Sequence, residues 1–409
     1  MKQVSVDNLK ENDILAFPIL SHSGTVLIHA DVALTDELIE RAINLGVRTV
    51  YIKDEKEGIV RENTSDSDTA REEEEYPYRL EETANNSRQI VKKILEESAE
   101  INAETNQKVK VLFHGGEPLL WGIERFYEIY EYEKELSDKT GVKFTNSIQT
   151  NASLIDDEWI RFFKTSHIGI GISLDGPIGV NAHFSQDESL SFKRTISILD
   201  KLKNQKVSFG ILSVITNKHI VNGAESFYDF LVENSIKNCG LCYCYNPDDK
   251  CSVDSEKLGY YLSDLFDLYF DGEARVNIRE FNNAISAILT GKHRCCSHHQ
   301  RERCGYYLTF LPSGDAFFCD PYNLRKENCL GNISERSISD MVSCSKHQEL
   351  LNMIQKQVRD YCNKCSVKDI CGYGCPRTDR DNEINYFCPA NQILYSHIIN
   401  TIKDRRKSI

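Results

Sequence analysis

The spacing of seven cysteines in the last third of the chain limits its fold more than any other feature. They form the patterns Cys304-x9-Gly314-x4-Cys319 and Cys362-x2-Cys365-x5-Cys371-x3-Cys375, followed by Cys388. A [4Fe-4S] cluster requires four thiolates that converge on one small inorganic cube, and closely spaced cysteines on turns supply them at low loop-closure cost. The pattern therefore predicts two [4Fe-4S] clusters, for which seven ligands are one too few.

The eighth ligand has three candidates just upstream of this pattern. Cys295 and Cys296 are adjacent, and His298 follows two residues later. We favour Cys296, and we rank His298 last. Cys329 and Cys344 fall outside the spacing and are predicted to be free thiols.

Zinc is the alternative occupant of such a motif. Pairs of the type Cys-x2-Cys also build zinc ribbons, and one pair alone would favour zinc. Here all elements of a longer spacing occur together, which favours iron-sulfur clusters.

Composition sets the cellular context. The chain of 409 residues contains 62 acidic and 49 basic residues, with a net charge of -13 and no basic stripe, so nucleic acid is not an expected partner. Neither a secretory signal nor an apolar run of about 18 residues is present, which argues against secretion and membrane insertion. We therefore expect a cytoplasmic protein, in which the 15 cysteines bind metal rather than form disulfides.

Hydrophobic patterning divides the chain into segments. Residues 1–55 read as a small α+β module, and the acidic stretch 56–80 reads as a flexible linker. Residues 81–290 alternate between helix and strand, with strands predicted at 109–114, 142–148, 168–174, 207–214 and 240–245. Such repeats predict an α/β fold with a parallel sheet, open or closed into a barrel. Residues 291–390 hold the cysteine pattern, and a helix is expected at 391–409.

Candidate site residues follow the predicted strands, because parallel sheets collect functional groups at their carboxyl ends. The first strand runs into Gly115, Gly116, Glu117 and Pro118, where glycines allow close backbone approach and a carboxylate can pair with an amine. Alone this motif is more often a turn. Further polar side chains follow the next two strands, namely Gln149, Asn151, Ser173 and Asp175, although Asp-Gly-Pro also ends many strands.

The cysteine spacing resembles the SPASM extension of radical S-adenosylmethionine enzymes, and the Gly-Gly-Glu-Pro sequence resembles their amine-binding motif. The resemblance implies a partial (β/α) barrel over 81–290 and a SPASM domain over 291–390. One auxiliary cluster is then expected on Cys304, Cys319 and Cys375, and the other on Cys362, Cys365, Cys371 and Cys388. Ser173 is the leading candidate for a contact to S-adenosylmethionine.

Anaerobic sulfatase-maturases resemble the chain at Cys319-Asp320, where the family's aspartate is the general base. The resemblance implies radical oxidation or cross-linking of a side chain in a peptide or protein, with ferredoxin or flavodoxin as a candidate reductant. The alternative is that Asp320 and Pro321 merely start a turn, and we weigh the two equally. The His-Asp-Arg sequence typical of these enzymes is not clear around Asn181 and His183.

The radical-generating loop CxxxCxxC is missing, since no cysteine precedes Cys239. Residues 1–55 instead resemble the module that precedes HD-GYP phosphodiesterases, without the HD and GYP elements. The chain thus resembles a fusion that replaced the first barrel strand and its cluster loop. The thiols Cys239, Cys242, Cys244 and Cys251 are predicted to be buried rather than ligands.

Overall fold

The computed structural model describes most of the chain from Leu80 onward and short pieces before it. The described residues are 2–6, 9–10, 13, 19–20, 26–28, 34–35, 38–39, 49–52, 80–103, 108–181, 188–245, 252–272, 276–293, 296, 304–305, 307–319, 326–356, 360–379 and 384–407. The chain divides into two compact units, one of Met1–Arg79 with Leu120–Glu124 and one of all remaining residues.

The first unit contains two antiparallel strand pairs in its described part. Strand β1 (Lys2–Ser5) pairs with β4 (Thr49–Ile52), and β2 (Ile19–Leu20) pairs with β3 (Val26–Ile28). Leu34 is buried, and its amide donates to the Asp13 carbonyl at 2.8 Å. The pattern of residues 35–45 predicts a helix, of which only positions 35 and 38–39 are described. The linker at 56–80 lies outside the described residues except for its last residue.

The second unit is built on a parallel sheet of six strands whose order follows the chain. These strands are β5 (Val109–Phe113), β6 (Phe144–Thr150), β7 (Gly169–Ser173), β8 (Phe209–Ile215), β9 (Asn238–Tyr243) and β10 (Asn277–Ile278). Every neighbouring pair is parallel. The predicted α/β class is confirmed, and the five strands predicted from sequence each lie within about two residues of their observed ends.

Helices precede, separate and follow these strands, and each helix between two strands returns the chain to the amino-terminal ends of the sheet. They are α1 (Leu80–Ala103), α2 (Ile123–Thr140), α3 (Asp157–Ser166), α4 (Glu188–Asn204), α5 (Asn217–Glu233), α6 (Ser255–Asp271) and α7 (Arg279–Thr290). A 3-10 turn, Pro118–Trp121, precedes α2. No helix in the described part of the chain is long and apolar enough to cross a bilayer.

Local sequence fixes where these helices begin and end. Asp156 caps α3, since its side chain accepts from the amides of Glu158 and Trp159, both at 2.9 Å. The same helix ends at His167, which adopts a left-handed conformation with φ of 54°. Its buried Trp159 and Phe162 contact Phe126 of α2, with ring centroids 5.3 and 6.2 Å away. Each fully buried aromatic side chain contributes about 1.5–3 kcal/mol. This packing attaches α3 to α2.

The cysteine-rich region follows the sheet as a small antiparallel meander and short helices. Its strands are β11 (Leu308–Phe310), β12 (Asp315–Phe318) and β13 (Cys329–Asn332), in that spatial order. Its helices are α8 (Ile338–Ser343), α9 (Ser345–Lys356), α10 (Asp360–Asn363), α11 (Lys368–Cys371) and α12 (Cys388–Lys407). Helix α12 packs along α6, where His397 Nε2 lies 2.7 Å from Asp267 Oδ1. The cysteine ligand turns are thereby attached to the helical layer of the sheet.

Candidate functional site

The carboxylate of Glu117 joins the ends of β5 and β6. Its Oε1 accepts from the Thr150 hydroxyl at 2.7 Å and from the Leu119 amide at 3.1 Å, and its Oε2 accepts from the Asn151 amide at 2.8 Å. A carboxylate has about four acceptor positions. Three are used here, which leaves Oε2 able to accept from one further donor.

The two glycines before Glu117 leave the backbone open. Gly115 has a φ of 128°, and a Cβ atom added to Gly115 or Gly116 would meet nothing within 4 Å. Both residues are exposed. A bound molecule could therefore come close to the backbone of this turn.

A second contact joins the ends of β6 and β7. Gln149 Nε2 donates to Ser173 Oγ at 3.0 Å. Gln149 pairs in register with Gly171, where an added Cβ would lie 2.1 Å from Gln149 Oε1. Gly171 therefore makes the room in which the Gln149 side chain reaches Ser173, and the sheet register brings two of the predicted site residues together.

Asp175 is placed differently, because it is buried beyond the end of β7. Its Oδ1 accepts from the Val214 amide at 3.0 Å, and its carbonyl accepts from His219 Nε2 at 2.9 Å. The Thr216 amide donates to His219 Nδ1 at 3.1 Å, so His219 carries its proton on Nε2. Burial lowers the pKa of His219, which agrees with this neutral form. These contacts lock β7 to β8 at the predicted site.

At the start of α7, an ion pair between half-buried Arg279 and buried Glu280 contacts β9, and nothing in the sequence singles it out. Glu280 Oε2 accepts from the Leu241 amide at 2.8 Å, and Glu280 Oε1 lies 2.6 Å from Arg279 Nη2. Burial raises the pKa of Glu280, and the charge of Arg279 opposes that rise. Gly240 allows this close approach, since its Cβ would lie 3.0 Å from the Arg279 guanidinium carbon.

Two thiols lie on β9, and Cys244 follows directly after it. Cys239 is buried, whereas Cys242 and Cys244 are half-buried. Burial raises the pKa of Cys242 to about 11. Cys251 lies outside the described residues. Successive side chains of a strand point to opposite faces, so Cys239 and Cys242 lie on different faces of the sheet.

Four of the predicted ligands line one pocket. Its walls include the thiols of Cys362, Cys365, Cys371 and Cys388. Burial raises the pKa of Cys371 to about 12, an amide of Asn391 opposes this, and the other three thiols add to it through their charges. The set is the one that the sequence resemblance assigned to a single cluster.

The donor chemistry of this pocket fits an iron-sulfur cluster. Its lining contains four thiols and neither carboxylate nor imidazole. Among the residues that the structure describes, no three Cys, His, Asp or Glu side chains approach closely enough to hold a single metal ion. Zinc needs its sulfur ligands about 2.3 Å from one centre. Four thiols around one pocket are the number and kind of ligand that a [4Fe-4S] cube takes.

The other predicted ligand set is described only in part. Burial raises the pKa of Cys375 to about 11, and the charge of Cys296 adds to this rise. Cys304 and Cys319 pack against one apolar cluster that contains Phe318, and Cys319 has a φ of 59°. Cys295, His298 and Asp320 lie outside the described residues.

Three polar residues around these sites were not predicted from the sequence. Thr150 holds Glu117, while Asn391 and Gln392 reach sulfur atoms of the cysteine pocket. Thr150 lies between the predicted residues Gln149 and Asn151 but was not itself among the predicted residues. Asn391 and Gln392 follow Cys388 by three and four residues, a helical spacing that could have identified them.

A family model for the SPASM domain, described as an iron-sulfur cluster-binding domain, matches residues 296–366. The chain is 29% identical over 301 residues to the cysteine-type anaerobic sulfatase-maturating enzyme of Clostridium perfringens strain 13, covering 70% of this chain and 80% of that enzyme. It is 27% identical over 306 residues to the serine-type anaerobic sulfatase-maturating enzyme of Klebsiella aerogenes, covering 72% of this chain and 73% of that enzyme.

A solved structure gives the same relationship. The structure of native anSMEcpe with bound AdoMet and Kp18Cys peptide superimposes with a TM-score of 0.70 and 25% sequence identity, covering 78% of this chain and 91% of that chain. The chain thus has a SPASM domain and is homologous to anaerobic sulfatase-maturating enzymes, with their radical S-adenosylmethionine type of fold.

Proposed function

We propose that this chain is an iron-sulfur protein of the sulfatase-maturase type, with two auxiliary [4Fe-4S] clusters and a peptide-binding groove, but without the radical-generating cluster. The observation that carries this is the single pocket lined by Cys362, Cys365, Cys371 and Cys388. When bound, such clusters supply one-electron transfer. The family's activity is the radical oxidation of a side chain in a peptide or protein.

The second cluster is proposed on Cys296, Cys304, Cys319 and Cys375. Among the three candidates for the eighth ligand, Cys296 remains the one that we favour. Asp320 follows the ligand Cys319 in sequence, and it remains our candidate for the general base on a substrate side chain.

The strand ends are proposed to retain a site for S-adenosylmethionine. Glu117 keeps one acceptor position, which suits the ammonium of the methionine moiety, and Gly115 and Gly116 leave that position accessible. Gln149, Asn151, Ser173 and Asp175 complete the predicted contacts, with Pro118 ending the turn. The AdoMet bound in the homologous solved structure supports this assignment.

The missing CxxxCxxC loop removes the chelating iron from this site. No cysteine precedes Cys239 in the sequence, and in the described sheet β5 is an end strand that pairs only with β6. Without an iron that binds the methionine moiety directly, no electron reaches the sulfonium and binding is weaker. We therefore infer that this chain alone does not cleave S-adenosylmethionine.

Two other functions fit parts of these observations. A non-catalytic protein that transfers electrons or binds peptide would keep the thiol pocket and groove, and the missing loop favours it over an enzyme. A non-functional fusion product would also keep them.

Residues 1–55 are proposed to be a regulatory module like that of HD-GYP proteins. A cooperative thermal melt of this segment alone would support this proposal, and a featureless melt would not.

The deciding experiment is anaerobic reconstitution of the full chain, with iron and sulfide counted per chain. We expect about eight irons, because each [4Fe-4S] cluster contains four. Incubation with S-adenosylmethionine and dithionite should then give no 5'-deoxyadenosine. About twelve irons with cleavage would show a third cluster and overturn the proposal. Binding of a cysteine- or serine-containing sulfatase peptide to the loaded protein separates the peptide-binding protein from the fusion product.

A further inference from the structure

Two side-chain amides donate hydrogen bonds to sulfur atoms of the cysteine pocket. Asn391 Nδ2 lies 3.4 Å from Cys371 Sγ, and Gln392 Nε2 lies 3.4 Å from Cys388 Sγ. Both side chains belong to the lining of the pocket. They follow Cys388 on α12, so one helical turn presents a ligand and two amide donors to the same space.

The position of Asn391 is fixed by the packing of α12 on α6. Asn391 is only 3% exposed to solvent. A Cβ atom at Gly259 of α6 would lie 3.0 Å from Ala390 Cα, so glycine allows the two helices to approach at this point. The Ala390 amide also donates to Ser255 Oγ at 3.3 Å. Asn391 therefore cannot easily turn away from Cys371.

The orientation of each amide follows from the chemistry of a ligand thiolate. A cysteine bound to iron has lost its proton, and its sulfur can only accept a hydrogen bond. The amide must therefore present its nitrogen and not its oxygen. The positive end of the N–H dipole then points at the sulfur, where charge increases when the cluster is reduced.

Such donors favour the reduced state. Reduction adds an electron to the cluster, and hydrogen bonds to its sulfur atoms are among the factors that set its potential. We propose that Asn391, with a smaller contribution from Gln392, raises the reduction potential of the cluster on Cys362, Cys365, Cys371 and Cys388. The proposal rests on the proposed function only in requiring that cluster.

The two donors should differ in strength because their surroundings differ. Asn391 is buried, whereas Gln392 is exposed. Water can replace the amide of Gln392 as a donor to Cys388, but it has little access to Cys371. Electrostatic effects are also larger away from solvent. Asn391 is therefore the principal positioning residue for the charge of this cluster.

The test is an anaerobic redox titration of the reconstituted full chain, monitored by electron paramagnetic resonance, for five proteins. They are the wild type, Asn391→Leu, Asn391→Asp, Gln392→Met and, as the matched control, Asn400→Leu on the exposed side of α12. Leucine keeps the size of asparagine without the donor, and aspartate keeps its shape while adding negative charge. We expect Asn391→Leu to lower one midpoint by about a tenfold change in the oxidised-to-reduced ratio, or 59 mV for one electron.

The remaining outcomes decide between this role and others. Asn391→Asp should lower the same midpoint further, Gln392→Met should lower it less, and Asn400→Leu should leave it unchanged. Unchanged midpoints in both Asn391 variants, or equal shifts of both clusters, would overturn the proposal. Iron loss from both Asn391 variants would also overturn it, since Asn391 would then be needed to build the cluster. A wild type that loads no iron would instead reject the proposed function.

Discussion

Two cysteine-rich regions of this protein contain the same side chain on different backbones. Cys239, Cys242 and Cys244 lie on or just beyond strand β9. Cys362, Cys365 and Cys371 lie on short helices and turns, and Cys388 begins helix α12. A strand sends neighbouring side chains to opposite faces. Turns and helix starts let several thiols point into one space, and the second group lines a common pocket. Backbone geometry, more than cysteine number, separates buried thiols from candidate ligands.

The largest expected effect tests this contrast through iron content. Cys371→Ser should lose about four of about eight irons, because a pocket with three thiolates holds the cluster poorly. Cys242→Ser, the control on the strand, should keep them all. Iron and sulfide are counted after anaerobic reconstitution. Iron loss from Cys242→Ser would show that the strand thiols are ligands.

A prediction for the sheet region concerns Glu133 of α2. It requires no bound cluster. Burial raises the pKa of Glu133 to about 7, and the Asn146 amide opposes the rise. Glu133 Oε1 and Asn146 Oδ1 both lack a hydrogen-bond partner. A proton on Glu133 would join these two oxygens, which favours the neutral acid in the folded state.

Glu133→Gln should therefore stabilise the protein in a pH-dependent way. A raised carboxyl pKa makes folding most favourable below the unfolded pKa of 4.5, and this contribution is lost as the pH rises to about 7. The variant should match wild type near pH 4 and exceed its free energy of unfolding by about 3 kcal/mol above pH 7. Urea unfolding at several pH values measures this. Exposed Glu131→Gln is the control, and a gain that does not depend on pH would contradict the mechanism.

The packing of α12, from the cysteine-rich region, against α6, from the sheet region, can be weakened at Gly259. In Gly259→Ala the new Cβ would lie 2.9 Å from Ile393 Cβ, so α12 must shift from α6. We expect a loss of about 2 kcal/mol in the free energy of unfolding, measured by urea titration. Exposed Asp264→Ala on the same helix should change it by less than about 0.5 kcal/mol. Equal effects of the two substitutions would mean that helix propensity, not close packing, governs this position.

The smallest expected effect concerns the strand-end carboxylate. Thr150→Val keeps the shape of a buried side chain but removes the donor to Glu117 Oε1 and the acceptor of the Ala152 amide at 3.1 Å. The expected cost is about 1 kcal/mol in thermal or urea unfolding. Thr150→Ser, which keeps the hydroxyl, should recover most of it. If serine and valine cost the same, the methyl group and not the hydrogen bonds stabilises this turn.

The sequence by itself determined the class of fold. Alternation of helical and strand patterns predicted a parallel sheet because the two periodicities differ. The resemblance to the SPASM extension grouped Cys362, Cys365, Cys371 and Cys388, and the structure places these four residues around one pocket. The sequence also indicated the polar strand ends at Glu117, Gln149 and Ser173, since parallel strands place their carboxyl ends at one edge.

Only the tertiary structure decided which of these polar groups touch and what surrounds the thiols. The Gln149 contact to Ser173 depends on strand register and on the space above Gly171, and the donation from Asn391 to Cys371 depends on the approach of α12 to α6 at Gly259. Burial of Glu133 and Glu280 was equally invisible in sequence. These properties arise from contacts between residues far apart in the chain, whose packing no local pattern encodes.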